Sequence, residues 1–487
     1  LSHMFSDHMV LQRDAPVPVW GTGAPGEEVT VEFANQKKSV AADADGNWMV
    51  KLDPLKVSSE PQTMTLSSSK IAQTTRSPNL QIKNILVGEV WFASGQSNME
   101  MPVGDKIRPD VYPGVENFAE EVKNANHPKL RLLKIDRQMA VKPLADAPTA
   151  GWKVCTPESA EVFSATAYFF GRHLIRNLDM PVGIIVSACS SSSVEQWISL
   201  EALEAFPQFA PVVNFYRNPA TAKLDNQEYR QRAPKGQPSC LFNGGVAPVI
   251  PYAIRGVIWY QGESNASRAV EYRQLLPNMI SDWRRRWGQG DFPFIQVQLA
   301  GFHGIPKNPG DDTWAELREA QAFTADKIAN VHLSTAIDIG MSNFIHPKNK
   351  QEVGRRLGLV AMAMVYDAKI AYNGPVLKKM EIMGANVVLT FDQFGGDLVS
   401  RNQVKPGSVS GFAIAGADHV WHWADAAIRG DTIVVSCPQI QNPVAVRYAW
   451  SSNIACDFYN QAGLPAFPFR TDDWPLMTDG KIYTQSN

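Results

Sequence analysis

The central part of the chain alternates mainly apolar stretches with longer stretches of helical period, and this alternation constrains the fold more than any other feature. The apolar stretches, each of strand length, are 85–93, 182–186, 254–260, 294–299 and 331–337. The helical stretches are 164–178, 267–287, 314–328 and 348–365. Because strands that alternate with helices build sheets covered on both faces, this pattern predicts an α/β core with a parallel sheet.

Both flanks of this core follow a different pattern, with short alternating stretches separated by turn residues, as at 29–33 and 432–435. This spacing is typical of β-sandwiches. We therefore predict three regions: an N-terminal β-sandwich region at 1–84, an α/β core at 85–370 and a C-terminal β region at 371–487. The last region either packs with the first or stands apart. Stretches 101–150 and 201–240 are expected to be irregular insertions in the core.

The balance of charge gives no argument for a nucleic-acid or membrane-surface partner, and we expect neither. The chain has 46 Lys and Arg against 48 Asp and Glu, a formal net charge of −2. The longest uncharged run, 236–254, contains three prolines, so we also expect no membrane span. With 44% apolar and 19% charged residues, the chain has the composition of a folded protein.

The cysteine content excludes zinc-ribbon and dithiol redox sites. The chain has five cysteines and no Cys-X-X-Cys spacing. A Cys437–Cys456 disulfide is one possibility, and buried free thiols are the expected alternative.

The first residues bear on localisation. Ser2-His3-Met4 resembles the remnant of an expression tag, so we expect that a natural leader was removed. The expected location is therefore secreted or periplasmic.

A candidate nucleophile follows the first strand of the predicted core. That strand runs into Ser94-Gly95-Gln96-Ser97-Asn98, which places Ser97 at the carboxyl end of the sheet, where sites of α/β proteins lie. A helix beginning at Ser97 would favour negative charge that develops there. An ordinary turn serine is the competing interpretation.

A nucleophilic serine needs a base, and the nine histidines can be screened for one. His346 follows the strand at 331–337, precedes Pro347 and a long helix, and is predicted at the same sheet edge as Ser97. His419 and His422 have the i, i+3 spacing of metal ligands, but the sequence near them offers no third ligand. We therefore predict His346 as the base and no metal site.

A third polar segment follows the strand at 254–260. Gln261, Glu263 and Asn265 offer an amide, a carboxylate and a second amide at the same edge. The carboxylate could orient a histidine and an amide could donate to an oxyanion. A surface loop with satisfied side chains is the competing interpretation.

Together these segments resemble the bacterial sialate O-acetylesterases, which are carbohydrate esterases of the SGNH hydrolase type. The matching segments, in the order of the family, are 5–12 (FSDHMVLQ), 95–99 (GQSNM), 259–266 (WYQGESNA), 346–350 (HPKNK), 463–466 (GLPA) and 468–472 (PFRTD).

The resemblance implies a flavodoxin-like SGNH core flanked by β-sandwich regions and serine-dependent removal of acetyl groups from O-acetylated sugars. It implies Ser97 as nucleophile and His346 as base, without a metal or organic cofactor. The oxyanion-hole donors that it implies are Ser97, Ser190, Ser191, Gln261 and Asn265.

The chain departs from the family at two places. Cys189-Ser190-Ser191-Ser192 stands where the family usually has Trp-Gly-Gly-Thr, so the freedom of glycine is lost near the oxyanion hole. Phe344 stands where many relatives have the aspartate that precedes the histidine. Glu263 is then the favoured triad acid, because the carboxylate of Gln-Gly-Glu completes the triad in some related acetylesterases. Asp338 and a Ser97–His346 dyad held by a backbone carbonyl are the alternatives.

The predicted protein is a carboxylic ester hydrolase that acts on small or oligosaccharide acetyl esters. The acetylated sugar is either sialic acid or a plant polysaccharide such as xylan, xyloglucan or pectin. A sialate carboxylate would need a cation, for which the sequence offers Lys106, Arg108 and Arg268.

A glycan-binding protein that has lost turnover is the alternative of another class. The tryptophans of the C-terminal region are candidates for a sugar-binding platform or for the core; they are Trp421, Trp423, Trp450 and Trp474.

Overall fold

The structure, a computed structural model, describes residues 1–68, 79–224 and 226–484. Two compact units are formed, one by Leu1–Trp259 with Asn278–Phe294 and the other by Tyr260–Pro277 with Ile295–Thr484. The predicted boundaries at 84/85 and 370/371 lie inside these units, so the division into three regions stays a prediction.

The first unit is rich in strands. Its strands are Val10–Gln12, Val17–Thr22, Glu28–Phe33, Gln36–Ala41, Asn47–Leu52, Ser58–Ser68, Asn79–Gly95, His127–Lys134, Lys153–Cys155, Val182–Ala188 and Gly256–Tyr260, whose last residue opens the second unit. Its α-helices are Ser97–Glu100, Phe118–Lys123, Pro157–Glu161, Ala165–Leu178, Leu200–Leu203, Ala210–Arg217, Asn226–Arg232 and the later part of Ala269–Trp287. Shorter turns are the 3₁₀ segments Val194–Trp197, Pro207–Phe209 and Thr221–Lys223 and the π-helical turn Phe242–Val246.

One long strand, Asn79–Gly95, organises the first unit. Its first part pairs antiparallel with Ser58–Ser68, and its middle pairs parallel with Val10–Gln12. Its last part pairs parallel with Val182–Ala188, which in turn pairs parallel with His127–Lys134. An antiparallel strand, Lys153–Cys155, follows at the edge. The predicted α/β class is confirmed, but the sheet is mixed rather than purely parallel.

The strand His127–Lys134 corrects the prediction of an irregular insertion at 101–150. Its apolar residues are interrupted by the buried Arg131, which hides the strand pattern. The guanidinium donates to the carbonyls of Pro128 at 2.9 Å and His8 at 3.1 Å, so its burial is compensated by hydrogen bonds. The other predicted insertion, 201–240, contains the helix Ala210–Arg217.

A separate antiparallel pair of strands shows why the N-terminal flank forms strands. Val17–Thr22 pairs antiparallel with Asn47–Leu52, and in both strands buried residues alternate with more exposed ones. This period of two puts one face of each strand into the core.

The second unit contains a C-terminal arrangement of antiparallel sheets. The first strand, Phe294–Gln298, begins with the last residue of the first unit. The other strands are Val331–Thr335, Val376–Met383, Asn386–Asp392, Leu398–Ser400, Phe412–Ala415, Trp421–Trp423, Asp425–Arg429, Thr432–Ser436, Ala445–Tyr448, Phe458–Asn460 and Phe469–Arg470. Its helices are the early part of Ala269–Trp287, Thr313–Lys327 and Lys350–Met364, with 3₁₀ turns Glu263–Arg268 and Ile337–Ile339.

Two four-stranded sheets of this unit share one apolar core. Val387 and Ile433 come from one sheet, and Ile414 and Val446 come from the other. A β-sandwich-like C-terminal region is therefore present, as the sequence predicts.

The aromatic residues of this region divide between core and surface. Trp450 is buried, Trp421 and Trp474 are partly exposed, and the ring centroids of the last two lie 5.1 Å apart. Trp423 is exposed.

Within the described residues, no helix is both long and apolar enough to cross a membrane. All five cysteines carry free thiols, and four of them are buried, so the expected alternative to the disulfide is confirmed.

Candidate active site

Ser97 lies where the long buried strand ends. Gly95, with φ +143°, lets the chain turn out of the strand, and Ser97 is the first residue of the helix Ser97–Glu100. The serine is 6% exposed. Backbone N–H groups in the first turn of a helix have no intrahelical acceptor, so this position can stabilise negative charge on a reacting oxygen.

The segment that follows Val182–Ala188 carries Ser190, one of the predicted oxyanion donors. The N–H of Ser190 donates to Glu100 Oε2 at 2.9 Å, and Tyr112 Oη donates to the same carboxylate oxygen at 3.1 Å. The Ser190 hydroxyl also donates to Glu100. Because its N–H is directed at a carboxylate, Ser190 is disfavoured as an oxyanion donor, and its role stays a prediction.

Ser191 adopts the backbone conformation that the family's glycine adopts freely. Its φ is +59°, in the left-handed region. A non-glycine residue there costs roughly 1–2 kcal/mol. The Gly→Ser departure is therefore accommodated with strain, and the N–H of Ser191 stays the predicted donor of this segment.

Gln261 and Asn265 form one buried unit after the strand Gly256–Tyr260. Gln261 Nε2 donates to Asn265 Oδ1 at 2.8 Å, and Tyr272 Oη donates to Gln261 Oε1 at 3.0 Å. Gln321 Nε2 donates to the Gln261 carbonyl at 3.0 Å. The Gln261 side chain thus fixes the orientation of the Asn265 amide, and the predicted satisfied surface loop is excluded by burial of both side chains.

Glu263 follows a turn that requires glycine. Gly262 has φ +153°, and a Cβ there would lie 2.5 Å from Leu317 Cδ2. The partly buried Glu263 carboxylate interacts electrostatically with the Lys350 amine and the Tyr260 hydroxyl. Burial, together with the charge of Glu263, holds the pKa of Tyr260 well above its usual range.

His346 is 9% exposed and lies in the loop that precedes the helix Lys350–Met364. The ring of Phe344 meets the imidazole edge-on, with centroids 5.5 Å apart and planes at 89°. Where many relatives have an aspartate before the histidine, this chain therefore has an apolar contact.

Asp338 is engaged by other partners. Arg356 Nη1 donates to Asp338 Oδ1 at 2.6 Å, Arg356 Nη2 to Oδ2 at 2.8 Å, and Tyr459 Oη to Oδ2 at 3.0 Å. Burial raises the pKa of this carboxyl, but the hydrogen bonds and charge of Arg356 outweigh burial and lower it. Asp338 is an ionised structural partner of Arg356, which disfavours it as the triad acid.

Lys350 is a residue of this region that the sequence reasoning missed. It is fully buried at the start of its helix. The sequence did contain a pattern that indicates burial of Lys350. This residue lies at helical spacing before the buried residues of one helix face: Val353, Gly354, Leu357, Val360 and Ala361. A lysine on that face had to be buried with it.

The three cations considered for a sugar carboxylate differ in their surroundings. Lys106 pairs with Glu161 at 2.6 Å, and Arg268 pairs with Glu271. Arg108 is exposed, lies 5.6 Å from the ring centroid of Tyr112 and forms no ion pair with a described residue. Within the described ranges no cluster of three or more His, Cys, Asp or Glu side chains has metal-binding geometry.

Comparison with known proteins identifies the family. The sequence profile described as "Carbohydrate esterase, sialic acid-specific acetylesterase" matches residues 87–363, more than half of the chain. The chain belongs to this family. The protein is accordingly a carboxylic ester hydrolase, as the sequence motifs predict.

Individual relatives support this identification, and they match the esterase over nearly the whole length of its chain. The structure of a carbohydrate acetylesterase from Xanthomonas citri is 35% identical and covers 97% of this chain and 99% of that one, with a TM-score of 0.84. The sialate O-acetylesterase of Homo sapiens is 29% identical and covers 95% of this chain and 91% of its own. The sialate O-acetylesterase of Mus musculus is 28% identical and covers 95% of this chain and 92% of its own.

Proposed function

We propose that this esterase removes O-acetyl groups from acetylated carbohydrates through an acetyl-enzyme intermediate on Ser97. The observation that carries the proposal is the position of Ser97, at the end of a buried strand and the start of a helix, within the segment that the family profile matches. Ser97 Oγ forms a bond to the acetyl carbonyl carbon, the sugar oxygen leaves, and water then hydrolyses the acetyl-serine.

His346 acts as the base in this proposal. It takes the Ser97 proton during attack, gives it to the leaving sugar oxygen, and later activates water. Glu263 orients the imidazole and stabilises the imidazolium, as the carboxylate of a catalytic triad does. The engagement of Asp338 by Arg356 supports Glu263 over Asp338 for this role.

The tetrahedral oxyanion would be held by the N–H groups of Ser97 and Ser191 and by the side-chain amide of Asn265. Gln261 acts through Asn265, whose Oδ1 it holds. Each such donor is worth several kcal/mol to the transition state, since removing one in a comparable hole costs about 2.7–4 kcal/mol.

We propose an O-acetylated sialic acid as the substrate, with Arg108 as the partner of its carboxylate. The names of the curated relatives and the exposed guanidinium of Arg108 support this choice. An arginine–carboxylate pair suits this recognition because the fork of the guanidinium matches the two oxygens.

Acetate release from O-acetyl sialic acid and from acetylated xylan tests the proposal, with Ser97→Ala as the blank. Arg108→Gln is expected to raise KM for O-acetyl sialic acid about tenfold, the value of one charged hydrogen bond, and to leave KM for p-nitrophenyl acetate unchanged. Faster release from acetylated xylan, with no effect of Arg108→Gln, would assign the esterase to plant polysaccharides instead.

We also propose that the esterase is secreted or periplasmic. Fractionation of the source cells, followed by immunoblotting, checks this; recovery with cytoplasmic markers alone would refute it.

A further inference from the structure

We propose that Lys350 is a positioning residue, whose buried amine fixes the loop that carries His346 and keeps the Glu263 carboxylate ionised. This inference rests on the proposed function, in which His346 is the base and Glu263 its partner.

The geometry of Lys350 ties it to the histidine loop. Its Nζ donates to the carbonyl oxygen of Pro347 at 2.9 Å, and Pro347 directly follows His346. The Nζ also lies 5.5 Å from the ring centroid of Tyr260, at the end of the strand that leads to Glu263. One fully buried side chain therefore contacts the segments on which the proposed base and its carboxylate lie.

The position of this lysine is unfavourable in free energy for a charged amine, which argues that the lysine has a function. It is the first residue of the helix Lys350–Met364, where the positive end of the helix dipole disfavours a cation. Burial further disfavours the charged amine and lowers the pKa of Lys350 to about 7, while the charge of Glu263 acts in the opposite direction. A methionine or leucine would fill the same space without these costs, so stability alone does not explain the lysine.

The electrostatic role follows from the groups around the amine. Glu263 acts on it from the turn after the strand, the Tyr260 ring lies beside it at the end of that strand, and His346 lies four residues before it. From the helix Thr313–Lys327, Arg318 acts on the Tyr260 hydroxyl. A positive Lys350 stabilises the Glu263 carboxylate and disfavours a second proton on His346 at rest. Both effects extend to lower pH the active protonation state, in which Glu263 is ionised and His346 is neutral.

The test compares Lys350→Met with Lys348→Met, a matched control two residues earlier, in the loop that precedes the helix. For Lys350→Met we expect kcat to fall about tenfold or more with KM little changed. The acidic limb of the kcat/KM pH profile should move up by about one pH unit, because the carboxyl and imidazolium pKa values rise once the cation is gone. Lys348→Met should leave the limb in its wild-type position.

Lys350→Gln separates the two roles, because glutamine keeps a donor for the Pro347 carbonyl but carries no charge. The limb should shift as in Lys350→Met, whereas kcat should stay closer to that of the wild type. This variant also provides the pH comparison if methionine lowers the yield of folded protein.

The inference is overturned if the acidic limb of the kcat/KM pH profile stays in place in both Lys350 variants. It is also overturned if the limb moves equally in Lys348→Met. The activity of Ser97→Ala tests the proposed function separately. An inactive Ser97→Ala with an unmoved limb in the Lys350 variants rejects the role of Lys350 alone, whereas an active Ser97→Ala rejects the proposed function.

Discussion

Replacing Ser97 with alanine is expected to lower kcat for p-nitrophenyl acetate by about 10⁴-fold or more, because no acetyl-enzyme can then form. Steady-state hydrolysis with matched enzyme concentrations measures the loss. Ser94→Ala is the matched control. This serine lies in the strand Asn79–Gly95 that leads to Ser97, and its buried hydroxyl has no hydrogen-bond partner among the described residues. We expect its activity to stay within about twofold of the wild type, since no satisfied polar contact is lost.

A fluorophosphonate probe gives a second reading of the same prediction. The probe should modify Ser97 in the wild type, located by peptide mass spectrometry, and leave Ser97→Ala unmodified. Glycan binding without turnover and without labelling of Ser97 would favour the alternative, a binding protein on the same fold.

Replacing Glu263 with glutamine is expected to lower kcat about 10³-fold with little change in KM. The amide is similar in size, but it cannot stabilise the imidazolium that forms when His346 takes the serine proton. Initial-rate measurements near neutral pH are sufficient. If kcat stays within about threefold of the wild type, Glu263 is not the triad acid.

Asp338→Asn is the matched comparison, since it makes the same chemical change at the other candidate carboxylate. Here we expect activity in the folded variant to persist and the free energy of unfolding to fall by about 3 kcal/mol, because Arg356 keeps Glu352 but loses its more buried carboxylate partner. The folded-state pKa of Asp338 is lowered, so its contribution is present above the unfolded value of about 3.9 and is lost as pH falls through the folded pKa. Urea denaturation between pH 7 and pH 3 should show the difference shrinking. A stable but inactive Asp338→Asn would make Asp338 the triad acid.

The sequence was sufficient for elements whose apolar period and length are clear. The helix predicted at 164–178 is Ala165–Leu178, with Ser164 accepting a hydrogen bond as its N-cap. The strand predicted at 294–299 is Phe294–Gln298. These segments carry their own period and caps, so tertiary contacts do not alter them.

Polar groups whose partners are distant in sequence were not predictable from the pattern. Arg131 breaks the apolar run of a sheet strand, and its burial depends on carbonyl partners that are distant in sequence, such as His8. Ser190 was expected to face an oxyanion, but Glu100 and Tyr112 bind it. Such partners depend on tertiary folding, which spacing along the chain does not report.

The strand Asn79–Gly95 also bears on how such esterases evolve. One half of it pairs with N-terminal strands, and the other half pairs with the strand beside Ser97. Glu89, in its middle and buried, bonds to Arg13 and to Arg255 Nε at 2.5 Å. A gene fragment starting at residue 87, where the family profile begins to match, would encode only the second half of this strand. We therefore expect the N-terminal sheet to be inherited together with the segment that carries Ser97.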